Sequence, residues 1–367
     1  MSISLGVPGQ IMPPAARAVQ YAQRAESDGF DAVWWPCHLM GWHPNSMWTE
    51  DVTPLAAMQN SPHTHFDPLS MMAAVAAVTE RIKVGVAVTD VIRRHPAMLA
   101  MEALTVDHVA GGRAIIGLGS GERLNVTPYG MEFDKPVARL AEAIEVIRLL
   151  WSTDQPVDFD GQFFKLRDAV LGLEPFEGRT PPIWLASHGP KMLELCGTQG
   201  DGWIPTKSEP EEYAERLNVI HESAERAGRD PQAIVPSMLG YVLCAPDEES
   251  LERMCEHPLV RMLCILLPAK EYRAVGAEPP FEGESGFHSF VPTTVSRAES
   301  ERVVAAIPPS LVRRATFHGD AKQIAEQVRA YEQAGLRDLV MWNVTAFAEP
   351  SLASYSFKVL RELRELL

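Results

Sequence analysis

Arg113-Ala-Ile-Ile-Gly-Leu-Gly-Ser-Gly-Glu-Arg123 is the stretch on which the fold turns. Apolar residues Ala114–Leu118 run into the alternating glycines Gly117, Gly119 and Gly121, and then into a carboxylate. This reads as a buried strand that breaks into a tight loop. Glycines let backbone pass close to a ligand, and Glu122 is delivered at the carboxyl end of the strand. In a parallel barrel that rim carries the catalytic groups. Taken alone, the segment suits a plain strand-to-helix turn equally well.

Outward from it, short apolar runs alternate with stretches of helical period. Ile3–Val7, Asp31–Trp35 and Ile82–Val88 precede it as strands. Ile183–Ala186, Gly202–Pro205, Ser237–Cys244 and Asp338–Asn343 follow. Ala15, Ala18, Val19, Ala22 and Ala25 share one helical face, Pro96 opens a helix toward Ala110, and Asp134–Trp151 reads as another helix. Pro190 and Pro210 start two more, and a last helix covers about Leu352–Leu366. Eight strands in this order predict a (β/α)8 TIM barrel, with residues 1–367 as a single domain. A doubly wound sheet would place a glycine-rich turn after the first strand, and Gly6–Gly9 does not make one. Three connections are long enough to be insertions after strands 2, 4 and 7: Pro36–Phe66, Gln155–Pro182 and Leu267–Pro309. The second contains a predicted hairpin, Val157–Phe164, with Asp160-Gly161 at its turn.

The chain has 367 residues, 46% of them apolar and 22% charged, which is ordinary for a globular enzyme. Its net charge of −15 disfavours nucleic acid and anionic membranes as partners. Five cysteines without CxxC spacing read as reduced thiols. No basic and apolar leader is visible at the start, and no apolar run is long enough to span a bilayer. The expectation is a cytoplasmic protein that acts on a small molecule.

Several groups fall at predicted carboxyl ends of strands. His38 follows Trp34-Trp35 and Cys37; an imidazole there suits proton transfer near pH 7, or a hydrogen bond to loop backbone. Val84–Asp90 runs toward Arg93-Arg94-His95-Pro96. Ser187-His188-Gly189-Pro190 joins a strand to a helix, where free amides and the helix dipole favour an anion such as phosphate. An ordinary turn fits the same residues. Lys207, beside Thr206 at the rim, suits neutralising an anion of the substrate, or is a solvated surface lysine. The run Gly117–Glu122 lacks the last glycine of a dinucleotide fingerprint. His63 and His65 lack a supporting carboxylate cluster, so no metal site is expected. Neither a GxSxG elbow nor a P-loop occurs.

Together these motifs resemble the luciferase-like superfamily of (β/α)8 barrels, and within it the deazaflavin oxidoreductases that use coenzyme F420. The resemblance runs from Ile3 to about Asn343. Gly119–Arg123, Pro128-Tyr-Gly130, Lys135–Arg139, Thr89-Asp90 with Arg93-Arg94, and His188–Met192 are most similar to the phthiodiolone ketoreductases. The resemblance implies a cis peptide at Ala87-Val88 behind the deazaflavin ring, with Thr89 completing that strand end. It implies a phosphate on the amides of Ser187, His188 and Gly189, with Ser120 and Gly121 near the ring or its ribityl chain. His38 and Glu122 match two proton-handling positions, Trp42 an aromatic beside the substrate, and Thr206 and Arg314 positions that bind a second phosphate in relatives acting on sugar phosphates. Where the family commonly carries a carboxylate before this histidine, Cys37 stands here, so His38 is expected to titrate lower.

The expected function is therefore hydride transfer between F420 and a carbonyl or alcohol carbon. The tryptophans and methionines of the second-strand insertion (Met40, Trp42, Met47, Trp48, Met58) suit an apolar or lipid-like substrate, or plain loop packing. The alternatives are an FMN-dependent monooxygenase and a cofactor-binding barrel without activity. The family suggests a homodimer.

Overall fold

Apolar runs too short to bury themselves pair edge to edge and close on one another. In the computed structural model, which describes residues 3–281, 283, 286 and 290–367, the strands in chain order are β1 (Ser4–Pro8), β2 (Ala32–Trp35), β3 (Lys83–Asp90), β4 (Ala114–Gly119), β5 (Val157–Asp160), β6 (Lys165–Ala169), β7 (Ile183–Leu185), β8 (Gly202–Trp203), β9 (Val235–Cys244), β10 (Thr316–Gly319) and β11 (Asp338–Asn343). The parallel order β1-β2-β3-β4-β7-β8-β9-β11 returns to β1, which gives a closed eight-stranded barrel. All eight barrel strands are the ones the sequence predicts.

Five outer helices begin on proline, at Pro68, Pro96, Pro136, Pro190 and Pro210, where a missing N–H costs nothing and φ is already set. Their apolar faces and the outward faces of the strands form the main core, including Val33, Trp35, Val84, Ile116 and Ile183. The inward faces form a separate plug of Ala32, Trp34, Ala87, Ile115, Trp184, Ile204 and Val340. Both faces of each parallel strand are covered, which is why the runs read as continuously apolar.

Three local readings need correction. The hairpin strands are Val157–Asp160 and Lys165–Ala169, so Gly161–Phe164 is a four-residue loop and not a tight Asp-Gly turn. Glu142, from the neighbouring helix, accepts the amides of Gln162, Phe163 and Phe164 at 2.8, 2.7 and 2.5 Å, and this opens the turn. Secondly, β10 was not foreseen. It extends the sheet by pairing with Tyr241–Cys244 of β9 beyond the reach of β8, and only that long neighbour gives four residues a reason to be extended. Thirdly, the insertion after the seventh barrel strand starts earlier than Leu267, with helices Glu248–Glu256 and Pro258–Met262. Residues 282, 284, 285 and 287–289 of it lie outside the described residues. It packs on the insertion after β2, burying Met47 and Trp48 against Leu259, Met262, Ile265 and Leu266.

Candidate active site

The loop after β2 and the loop after β4 meet at the barrel's carboxyl rim. His38 Nδ1 lies 3.3 Å from Glu122 Oε2, with side chains 12% and 23% exposed. Between them stands a residue that sequence reading missed, Asn125. Its Nδ2 donates to His38 Nδ1 at 2.8 Å and to Glu122 Oε2 at 2.9 Å. Its Oδ1 accepts the amides of Leu39 and Met40 at 2.8 and 2.9 Å. The short 3₁₀ turn Arg123–Asn125, for which Glu122 is the N-cap residue, folds the asparagine back onto the carboxylate. A polar residue three after the rim glutamate was the one available signal.

Electrostatics separate the two titratable groups. Burial lowers His38 to about 3; Arg93 lowers it further, while Asp90 and the Met40 backbone oppose. The shift has the direction expected from Cys37, but its main cause is desolvation. Burial raises Glu122 to about 7, against the Asn125 hydrogen bond, the nearby Trp42 indole and the Arg93 charge. Arg93 is itself tied to Asp90 at 2.5 Å and to the Cys37 carbonyl at 2.7 Å, which joins the loops after β2 and β3. The ring pair His38–Trp42 meets edge-on at 5.2 Å, and Trp42 meets Tyr241 at 6.4 Å. Although Trp42 Nε1 is buried close to the carboxylate, it completes no hydrogen bond among the described residues.

The expected cofactor residues line the same rim. The Ala87–Val88 peptide is cis. Thr89 Oγ1 donates to Cys37 Sγ at 3.2 Å. The glycines of β4 answer chiefly to this neighbour strand and not to a ligand: a Cβ at Gly117 would come within 2.1 Å of the Val86 carbonyl oxygen, and one at Gly119 within 2.8 Å of Val88. Gly121, with φ +90°, turns the chain toward Glu122 beside the half-buried Ser120.

Ser187, fully buried, precedes exposed His188 and Gly189 at the start of the helix Pro190–Gln199. The amides of Ser187, His188 and Gly189 donate to no group among the described residues. Three free donors and the helix dipole fit a phosphate. A Cβ on Gly189 meets nothing within 4 Å among the described residues. Gly189→Val is therefore expected to leave folding intact but weaken a phosphorylated cofactor by about tenfold or more. Calorimetric titration checks this, and unchanged affinity would remove the cradle from the site.

The remaining candidates divide. Trp42 joins the site, whereas Met47 and Trp48 are loop packing and Met58 is 63% exposed. Thr206 bridges to Leu239 on the barrel wall. Lys207 Nζ donates to the Arg314 carbonyl at 2.6 Å, and Arg314 is held by Glu271 at 2.7 Å and Glu209 at 2.8 Å. Burial, aided by Arg314, lowers Lys207 to about 8 against Glu209 and Glu271. His63 pairs with Asn45 at 2.5 Å, while His65 packs on His38 at 5.4 Å.

A family model described as luciferase-like monooxygenase matches residues 3–338. The chain belongs to this luciferase-like family. The phthiodiolone/phenolphthiodiolone dimycocerosates ketoreductase of Mycobacterium tuberculosis (strain ATCC 25618 / H37Rv) is 32% identical to this luciferase-like chain, covering 97% of it and 96% of that protein. The F420-dependent glucose-6-phosphate dehydrogenase of Amycolatopsis mediterranei (strain U-32) is 29% identical, over 95% and 94%. Among solved structures, an F420-dependent secondary alcohol dehydrogenase in complex with an F420-acetone adduct superimposes with a TM-score of 0.76 at 20% identity, over 100% of this chain and 99% of that one. That likeness bears on the fold.

Proposed function

We propose that this chain transfers a hydride between coenzyme F420 and a carbonyl or alcohol carbon, as a ketoreductase on an apolar or lipid-like substrate. The observation that carries this is a carboxyl group poised near neutrality, Glu122, against a neutral imidazole, His38, at the mouth of a barrel with a phosphate cradle. The ketoreductase and dehydrogenase relatives support it. Bound there, the cofactor supplies a hydride at C5 of its deazaflavin ring. Ser187, His188 and Gly189 would hold its phosphate, Ala87 and Val88 would back the ring, and Ser120 and Gly121 would approach its side. As the carbonyl oxygen takes up the electron pair of its π bond, Glu122 supplies the proton and His38 a hydrogen bond. Oxidation reverses these roles.

The substrate class rests on Trp42, Tyr241 and Trp342, which are half-buried together. The cations that would greet a second phosphate, Lys207 and Arg314, are already engaged with Glu209, Glu271 and each other. A reducing, cytoplasmic compartment suits the five unpaired, buried cysteines. A homodimer belongs to the same reading and is tested by sedimentation velocity.

Fluorescence titration with F420 and, separately, FMN tests the cofactor. Saturable F420 binding with little FMN affinity is expected, and preference for FMN would replace this reading with a monooxygenase. With reduced F420, a long-chain ketone should be turned over and glucose 6-phosphate should fail to protect or compete. Competition by the sugar phosphate would overturn the apolar assignment.

A further inference from the structure

We propose that Asn125 is a positioning residue that locks His38 as its Nε2–H tautomer and aims Glu122, so that the imidazole offers a proton and the carboxyl does the titrating. The inference deepens the proton-handling roles proposed above and rests on them.

The orientation of the amide follows from what its neighbours can do. Backbone N–H groups only donate, and those of Leu39 and Met40 lie 2.8 and 2.9 Å from one end of the side chain, so the oxygen must face them. The NH₂ end then faces His38 Nδ1 at 2.8 Å and Glu122 Oε2 at 2.9 Å, and both of its hydrogens are spent. Nδ1 must therefore present its lone pair. A neutral ring in that state carries its hydrogen on Nε2. Glu122 Oε2 likewise accepts a hydrogen bond, which favours Oε1 as the oxygen that carries the transferable proton. Asn125 is itself 1% exposed, and a group so buried with four hydrogen bonds has little freedom to turn.

The consequence is a division of labour that neither residue shows alone. During reduction a C–H bond forms with the hydride of the reduced deazaflavin, and the C=O π pair moves to oxygen. The Nε2–H steadies that oxygen by a hydrogen bond, and the Glu122 O–H bond breaks as the alcohol O–H forms. His38 ends as it began, Glu122 ends as a carboxylate, and the cofactor ends oxidised. A ring locked the other way, with Nδ1–H, would face the substrate with a lone pair and lose this interaction.

The test is two-bond ¹H–¹⁵N correlation on the full chain labelled with ¹⁵N-histidine, with His38→Gln to assign the signal. Wild-type Nδ1 is expected to show the shift of an unprotonated nitrogen and Nε2 that of a protonated one, unchanged across neutral pH. A protonated Nδ1 overturns the proposal. Asn125→Asp keeps the acceptor for Leu39 and Met40 but removes both donated hydrogens. In that variant the proton should move to Nδ1, and kcat should fall by about 100-fold or more, within the roughly 10⁴ that a wrong-tautomer histidine costs a serine protease, with cofactor affinity kept. An Asn125→Asp protein that retains Nε2–H shows that something else sets the tautomer. Both readouts of the ring stand whether or not F420 binds, so failure of the cofactor assignment is seen separately in the titration.

Discussion

Glu122→Gln is expected to lower kcat by about 10²–10⁴-fold while leaving the affinity for cofactor within a few-fold. Glutamine preserves the shape and the acceptor for Asn125 but carries no transferable proton. The pH profile gives a sharper reading. In the wild-type reductive direction, rate requires the protonated carboxyl, so it should be level below pH 7 and decline above it, since burial raises this group to about 7. The oxidative direction should show the opposite limb, and both should vanish in the variant. In the variant, stability moves opposite to activity. A carboxyl whose native value lies above its ordinary 4.5 binds its proton more tightly when folded, so it costs nothing below pH 4.5, and the cost grows up to about pH 7. At full extent the difference amounts to about 3 kcal/mol as an upper bound, because 23% of the side chain still meets solvent. Glu122→Gln should therefore unfold at higher denaturant than wild type above pH 7, and at the same denaturant near pH 4. A variant that is both slow and less stable at pH 8 would show that Glu122 is structural.

Trp34→Ala should cost about 3–5 kcal/mol, a large share of the roughly 5–15 kcal/mol by which a domain is stable. Trp34 is fully buried at the centre of the barrel, with its ring 5.2 Å from that of Trp184. The strands on either side make room for it with glycine: a Cβ at Gly6 would approach its Nε1 to 2.5 Å, and one at Gly85 its Cε3 to 2.3 Å. With both neighbours already trimmed, little is left to collapse into the space. The plug also touches Val88 and Ala186, which border the proposed cofactor site, so cofactor affinity should drop with stability. Urea unfolding measures the first and fluorescence titration the second. A loss under about 1 kcal/mol would mean that the barrel interior repacks freely.

The barrel was legible because each of its strands carries its own signal. A run such as Ala114–Leu118 is apolar on both faces, and each is punctuated by glycine or by a helix that starts on proline. His38 and Glu122 were legible for a related reason: both follow directly on such a run, and a parallel barrel sends every such position to one rim. Other features left no local trace. Asn125 looks like any loop asparagine until His38, 87 residues earlier in the chain, is brought to it. Arg314 looks like a free cation until Glu209 and Glu271 close on it. The glycines Gly117 and Gly119 suggested a ligand, and proved to make room for the strand that holds Ala87 and Val88.

By itself, then, the sequence determined the order of the eight barrel strands, the closure of the barrel and the rim on which His38 and Glu122 fall. These follow from hydrophobic period and chain direction, which act over a few residues. Tertiary structure alone decided the state of the site: which nitrogen of His38 accepts a hydrogen bond, how far Glu122 is raised, and which cations remain open to a substrate. Those depend on desolvation and on polar contacts a few ångströms long between residues far apart in the chain, and such contacts exist only once the loops have met.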